Sequence, residues 1–199
     1  MSELSSAITD PFALFAQWMA EAETSEPNDP DAMAIATATP DGRPSVRMVL
    51  MRRHGPDGFG FFTNLQSRKG QEIAANPWAA LCIHWKSLRK QVRAEGRLVQ
   101  VSEEDADAYF QSRSRNSQIG SHASDQSRPL DARETFVRRV EEAKVRFAEG
   151  EVPRPKHWSG FRLVPDRIEF WADVEFRLHH RRLFERLADG SWSEGLLYP

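Results

Sequence analysis

Residues 32–64, "AMAIATATPDGRPSVRMVLMRRHGPDGFGFFTN", constrain the fold more than any other stretch of this chain. They follow a strand period and are punctuated twice by Asp-Gly, at Asp41-Gly42 and Asp57-Gly58. Asp-Gly supplies the positive φ angles of a tight hairpin turn, so the run doubles back on itself rather than crossing over. Antiparallel pairing follows. "WAALCIHWK" and "RKQVRAEGRLVQV" read as another antiparallel pair. "GFRLVPDRIEFW", "EFRLHHRRLFER" and "SWSEGLLYP" read as further strands, with a turn at Asp189-Gly190.

Helical spacing appears in four other places. "DPFALFAQWMAEAE" opens with Asp10 as N-cap and Pro11 at the first helical position, and Phe12, Phe15, Trp18, Met19 and Ala22 form an aromatic face. This helix is expected over about residues 10–24. "SRKGQEIAANP" is a short helix that ends before Pro77, and "SEEDADAYFQSR" is a third. In "DARETFVRRVEEAKVRFAEG", Phe136, Val140, Ala143 and Phe147 share a face, and Asp131 and Glu134 are spaced as a capping box. Short antiparallel strands with inserted helices predict an α+β chain built on a small barrel, a single domain over 1–199. There is no βαβ alternation, no G-x-G-x-x-G and no internal repeat.

The 199 residues suffice for one domain with a real core. Lys plus Arg number 27 against 29 Asp plus Glu, a net charge of -2, which disfavours nucleic acid as a partner. Cys82 is the only cysteine, so no internal disulfide forms, in keeping with a reducing cytoplasm. No apolar run is long enough for a membrane span. The expected location is cytoplasmic, with no membrane partner.

Three segments carry candidate chemistry. In "TNLQSRKG", Ser67 caps a helix whose first turn holds Arg68 and Lys69. Cations oppose the dipole there, at roughly 0.3–1 kcal/mol each, but with free N–H groups they make a phosphate cradle. Solvation of both side chains is the alternative. In "YFQSRSRNSQIG", Tyr109, Arg113 and Ser117 are spaced by four, so a helix aligns phenol, guanidinium and hydroxyl as donors to a phosphate monoester. In "FRLHHRR", strand alternation places Arg177, His179 and Arg181 on one face and His180 on the other. That cationic face reads either as a solvated edge or as an anion site, and Trp171 immediately precedes it. The six histidines include no H-E-x-x-H, so no metal site is expected, and no G-x-S-x-G elbow marks a hydrolase.

"RPSVRMVLMRR", "FFTNLQSRKG", "KQVRAEGR", "YFQSRSRNSQIG", "SDQS", "RIEFW" and "FRLHHRR" occur in an order that resembles the pyridoxamine 5'-phosphate oxidases, over about Asp10 to Pro199. The resemblance implies an FMN-binding split β-barrel with flanking helices, a homodimer with FMN in a cleft between subunits. It implies an FMN-dependent oxidase that turns pyridoxamine or pyridoxine 5'-phosphate into pyridoxal 5'-phosphate, with O₂ as acceptor and H₂O₂ released. By position, FMN contacts fall on Arg47, Met48, Val49, Leu50, Met51, Arg52, Phe62, Thr63, Arg68, Lys69, Gln91, Gln126, Ser127, Trp171 and Arg181. Substrate phosphate falls to Arg52, Tyr109, Arg113 and Ser117; Arg177 and His179, the implied catalytic residues, hold the pyridine ring. Strict alternation puts Arg47 and Arg52 on opposite faces, so this reading needs a bulge or a site that wraps the strand end.

The chain departs from the family pattern at Arg52 (usually lysine), Phe62 (tyrosine), Ser114 (proline), His122 (tryptophan) and His180 (aspartate). Arg52 keeps the charge but not the shape. Two other functions compete: a related flavin oxidase of phenazine biosynthesis, and a non-catalytic protein that binds FMN or pyridoxal phosphate. Retention of Tyr109, Arg113, Ser117, Arg177 and His179 favours the vitamin B6 substrate.

Overall fold

The computed structural model describes residues 8–199. The elements run α1 (Pro11–Ser25), β1 (Ala32–Ala38), β2 (Pro44–Leu50), β3 (Arg53–Gly55), β4 (Gly58–Asn64), α2 (Arg68–Ala75), β5 (Trp78–Trp85), β6 (Lys90–Gln100), α3 (Glu103–Ser112), α4 (Arg115–Ala123), α5 (Arg133–Arg146), β7 (Trp158–Ala172), β8 (His180–Arg186) and β9 (Trp192–Leu196). The strands pair in the order β2-β1-β5-β6-β7-β4-β3, with β8 added to β7 and β9 to β8. Each Asp-Gly pair sits at a hairpin turn, with Gly42, Gly58 and Gly190 at positive φ.

The long strand β7 makes the sheet curl. Its first residues pair with β4, its last six with β8, and nearly all of it with β6. The β6–β7 register slips between Glu95 and Gly96, opposite Pro165. A proline has no N–H for a ladder, so it is tolerated in so central a strand only at such a bulge, which also bends the chain. The result is an α+β split barrel.

Helix α1 closes one side. Asp10 accepts a hydrogen bond from the Phe12 N–H at 2.9 Å, and Pro11 begins the first turn, as its fixed φ allows. Phe12, Phe15, Trp18, Met19 and Ala22 are all buried. The Phe15 ring meets Phe59 edge-on at 4.8 Å, and Trp18 meets Phe170 at 5.1 Å. Burying each such side chain contributes about 1.5–3 kcal/mol. A second cluster, built from Phe110, Ile119, Ala143, Phe147, Val152 and Trp158, lies under α3, α4 and α5.

Three local expectations are corrected. "FRLHHRR" is not a continuous strand: Glu175–Arg177 forms a single 3-10 turn, and β8 begins only at His180. Phe176 and Arg177 both have positive φ, so Arg177 and His179 do not owe their placement to alternation. "YFQSRSRNSQIG" is not one helix, because α3 ends at Ser112 and Ser114 caps α4 through the Ser117 N–H. The capping box at α5 does not form: its N-cap Ala132 has no side-chain cap, and Asp131 instead accepts from the Thr135 hydroxyl at 3.1 Å.

Candidate functional site

The corner after β2 sends Arg47 and Arg52 to different places. Beyond Leu50 the chain leaves β1: the Met51 N–H donates to the Asp31 carbonyl and the Arg52 N–H to the Gly60 carbonyl, both at 2.8 Å. Arg52 therefore lies past the strand end, salt-bridged to Asp31 at 2.7 Å. Arg47 stays on the strand and turns under α2. There it donates to the Thr37 hydroxyl at 2.6 Å and lies 3.4 Å from Glu72, which Arg68 also contacts at 2.9 Å. Burial alone would raise the Glu72 pKa; hydrogen bonds from Ser45, Thr37 and Arg68 overturn this and hold it at about 2.

Ser67 caps α2 by accepting from the Gly70 N–H at 3.2 Å. Gly70 is required because a Cβ there would stand 2.2 Å from the Leu65 carbonyl oxygen, a backbone atom that cannot swing away. This tight start buries Lys69, which is 7% exposed. Its Nζ donates to Thr63 Oγ1 and Gln126 Oε1, each at 3.0 Å, both neutral oxygens. Burial first, and then the Arg47 charge, push its pKa down to about 8.

Lys69 opens into a cavity of about 750 Å³. The end of β2 lines it with Met48, Val49 and Leu50, and the corner beyond with Arg52; β4 with Phe62, Thr63 and Asn64; the α3–α4 corner with Tyr109, Arg113, Ser114 and Ser117; and the loop after α4 with Ser124 and Gln126. Tyr109 stacks on Phe62 at 4.0 Å, and Phe62 is parallel to Trp158 at 5.3 Å. Arg113 lies over Trp158 at 4.9 Å and donates to the Ser121 hydroxyl at 2.7 Å. The break between α3 and α4 thus leaves Tyr109, Arg113 and Ser117 together, by a corner instead of a helical face.

A second cluster stands apart. Gln91, Trp171 and Arg181 are register partners across β6, β7 and β8, forming one row. His179 packs on Trp171 at 4.7 Å between ring centres. Arg181 donates to Glu169 and to the Tyr198 carbonyl, each at 2.8 Å. Neither this row nor Arg177 and His179 lines the cavity. Arg47, Met51, Arg68 and Ser127 do not line it either: Met51 is buried in the core, and Arg47 and Arg68 engage Glu72.

Sequence reasoning missed Asn64, Ser121, Ser124, Phe136 and Trp158 as cavity residues. Trp158 carries no signal by itself, since buried tryptophans are common in cores. His122 bonds the Pro153 carbonyl at 2.8 Å and lies outside the cavity wall. Among the described residues no group of three His, Cys, Asp or Glu side chains is placed to hold a metal ion, and no helix is long and apolar enough to cross a membrane.

The donors fit a phosphorylated flavin. A buried cation whose hydrogen-bond partners are neutral, beside an aromatic wall, is an arrangement that a phosphate and a planar ring complete.

Two family models match the chain: "Pyridoxamine 5'-phosphate oxidase" over residues 19–147, and "Pyridoxine 5'-phosphate oxidase C-terminal dimerisation region" over 158–199. A pyridoxine/pyridoxamine 5'-phosphate oxidase of Sphingopyxis alaskensis is 64% identical over 190 residues, 96% of this chain and 88% of that one. One of Erythrobacter litoralis is 62% identical over 194 residues, 96% of this chain and 92% of that one. Among solved structures, PhzG from Burkholderia lata, in complex with tetrahydrophenazine-1-carboxylic acid, superposes with a TM-score of 0.93 at 33% identity, covering 100% of this chain and 97% of that one. A pyridoxamine 5'-phosphate oxidase-related, FMN binding protein of Nostoc punctiforme shares the fold, with a TM-score of 0.77 at 19% identity over 96% of this chain and 98% of that one.

Proposed function

Because the chain belongs to the pyridoxamine 5'-phosphate oxidase family, we propose that it oxidises pyridoxamine or pyridoxine 5'-phosphate to pyridoxal 5'-phosphate, as a cytoplasmic, FMN-dependent homodimer that uses O₂ and releases H₂O₂. One observation carries this reading: a single cavity holds two separate sets of anion donors, one around Lys69 and one around Arg113. A phosphorylated cofactor and a phosphorylated substrate need two such sets. A phenazine carboxylate has no phosphate to occupy the second.

Lys69, with Thr63 and Gln126 as its fixed partners, binds the cofactor phosphate. Arg52, Tyr109, Arg113 and Ser117 bind the substrate phosphate, and that remote contact supplies binding energy to align the reacting carbon. FMN, when bound, supplies the hydride acceptor, which O₂ reoxidises to give H₂O₂. Arg177 offsets negative charge on the substrate ring, and His179 orients the ring and moves a proton at Nε2.

Gln91, Trp171, Arg177, His179 and Arg181 lie outside the cavity wall of their own chain. In this reading they complete the cavity of the other subunit. A C-terminal match described as a dimerisation region, over the residues that carry four of these five, supports that arrangement.

The test is direct. Purified protein should be yellow and should release H₂O₂ with pyridoxamine 5'-phosphate. Turnover of tetrahydrophenazine-1-carboxylic acid alone would favour the phenazine-type reading, to which the likeness to PhzG points. Flavin without turnover of either would leave a binding protein.

A further inference from the structure

We propose that Asp173 is the positioning residue for His179, holding its Nδ1–H so that Nε2 is the nitrogen offered to the substrate. This rests on the reading above only in giving His179 a substrate contact.

The geometry is local and closed. Asp173 Oδ1 lies 2.8 Å from His179 Nδ1. Its other oxygen, Oδ2, pairs with Arg89 in the β5–β6 turn, and the Asp173 N–H donates to the Arg89 carbonyl at 3.0 Å. The carboxylate is thus fixed from two sides before it meets the imidazole, and it is only 14% exposed. Trp171 covers the imidazole at 4.7 Å, which limits its rotation.

Two contacts compete for Nδ1. The Val174 N–H approaches it at 3.3 Å, which requires an unprotonated nitrogen. A carboxylate oxygen at 2.8 Å requires the opposite, because two lone pairs at that separation repel. The shorter, charge-assisted contact wins, so Nδ1 carries the proton. In the neutral ring Nε2 is then the acceptor.

The backbone supports the same conclusion. Phe176 (φ 59) and Arg177 (φ 62) are both in the left-handed region, which non-glycine residues occupy only when surrounding contacts demand it. Those two residues fold the chain back so that His179 returns to Asp173, six positions earlier. His180, the next residue, is exposed and starts β8. The carboxylate for the imidazole therefore comes from before the turn.

Long-range ¹⁵N–¹H NMR of selectively labelled histidine in the flavin-loaded protein tests this without turnover. His179 should show the Nδ1–H tautomer, and Asp173→Asn should shift it toward Nε2–H at unchanged flavin content. An Nε2–H tautomer in the unsubstituted protein would overturn the proposal whether or not any variant folds. In kinetics, Asp173→Asn should lower kcat about 10- to 100-fold, the size of effect that losing the orienting partner has on a metal-bound histidine. Asp173→Glu should recover part of it. Wild-type tautomer and kcat in Asp173→Asn would also overturn it. If instead the tautomer shifts as stated but the unsubstituted protein fails to oxidise pyridoxamine 5'-phosphate, the functional reading fails and the assignment of Asp173 stands.

Discussion

Lys69 and Gln126 meet at 3.0 Å, joining the first turn of α2 to the loop after α4 across 57 positions of sequence. This contact puts a buried ammonium at the cavity wall without a carboxylate on it. Lys69→Met should weaken FMN binding by about 1.5–3 kcal/mol, roughly 10- to 150-fold. Quenching of flavin fluorescence on titration of the apo-protein measures it, and an unchanged Kd would remove Lys69 from the cofactor site.

The same lysine predicts a proton linkage. Its pKa is lowered from 10.5 to about 8, so the ligand-free folded chain holds this proton less tightly than the unfolded chain. Its burial costs stability below about pH 8, and the cost fades as pH rises toward 10.5. A bound phosphate favours the charged ammonium. FMN binding near pH 8 should therefore take up a proton, and affinity should fall as pH rises through about 8. Calorimetry in two buffers of different ionisation enthalpy checks this; equal heats in both would refute it.

Glu72 gives the opposite dependence on pH. Its pKa falls from 4.5 to about 2 on folding, so its stabilisation is complete above about 4.5 and is lost as pH drops toward 2. A shift of that size corresponds to on the order of 3 kcal/mol. Glu72→Gln should remove that part of the acid dependence, read from urea midpoints at pH 2.5 and 6. A slope between those two values as steep as in the unsubstituted protein would place the acid sensitivity elsewhere.

Arg177 and Arg181 should fail differently. Arg177→Gly keeps the left-handed backbone accessible, so flavin content should hold while turnover falls sharply. Arg181→Ala loses its contacts to Glu169 and the Tyr198 carbonyl, and it should lower flavin content, with activity partly restored by excess FMN. His180→Ala, at an exposed position, should change little. Equal losses in all three would mean that the segment is only structural.

A shared site predicts complementation. Lys69→Met and Arg181→Ala damage different walls of one site, so a two-fold hybrid dimer has one doubly damaged site and one intact site. Mixing the two variants after mild dissociation, at an FMN concentration too low to load either alone, should restore roughly a quarter of wild-type turnover under random exchange. No recovery despite proven exchange would argue that each site belongs to one chain.

What the sequence determined by itself was local. Asp-Gly pairs dictate tight turns through φ alone, so the hairpins at Gly42, Gly58 and Gly190 were legible. Asp10 and Ser67 cap α1 and α2 because a short acceptor reaches an N–H two or three residues on. The aromatic face of α1 was legible from spacing. The order of motifs carried the family and, through it, a set of site residues that no single motif could have supplied. What tertiary structure decided depends on contacts between distant residues. "FRLHHRR" has strand-forming residues, yet Asp173, Arg89 and Trp171 hold it in a left-handed turn that local propensity disfavours. Tyr109, Arg113 and Ser117 meet because Ser114 starts a new helix over the Phe110–Trp158 cluster. Arg47 goes to Glu72, and not to the cavity, because a buried carboxylate 25 residues away costs more to leave unpaired than an arginine at a half-exposed strand. Such pairings are set by which elements pack together, and a one-dimensional pattern does not contain that distance.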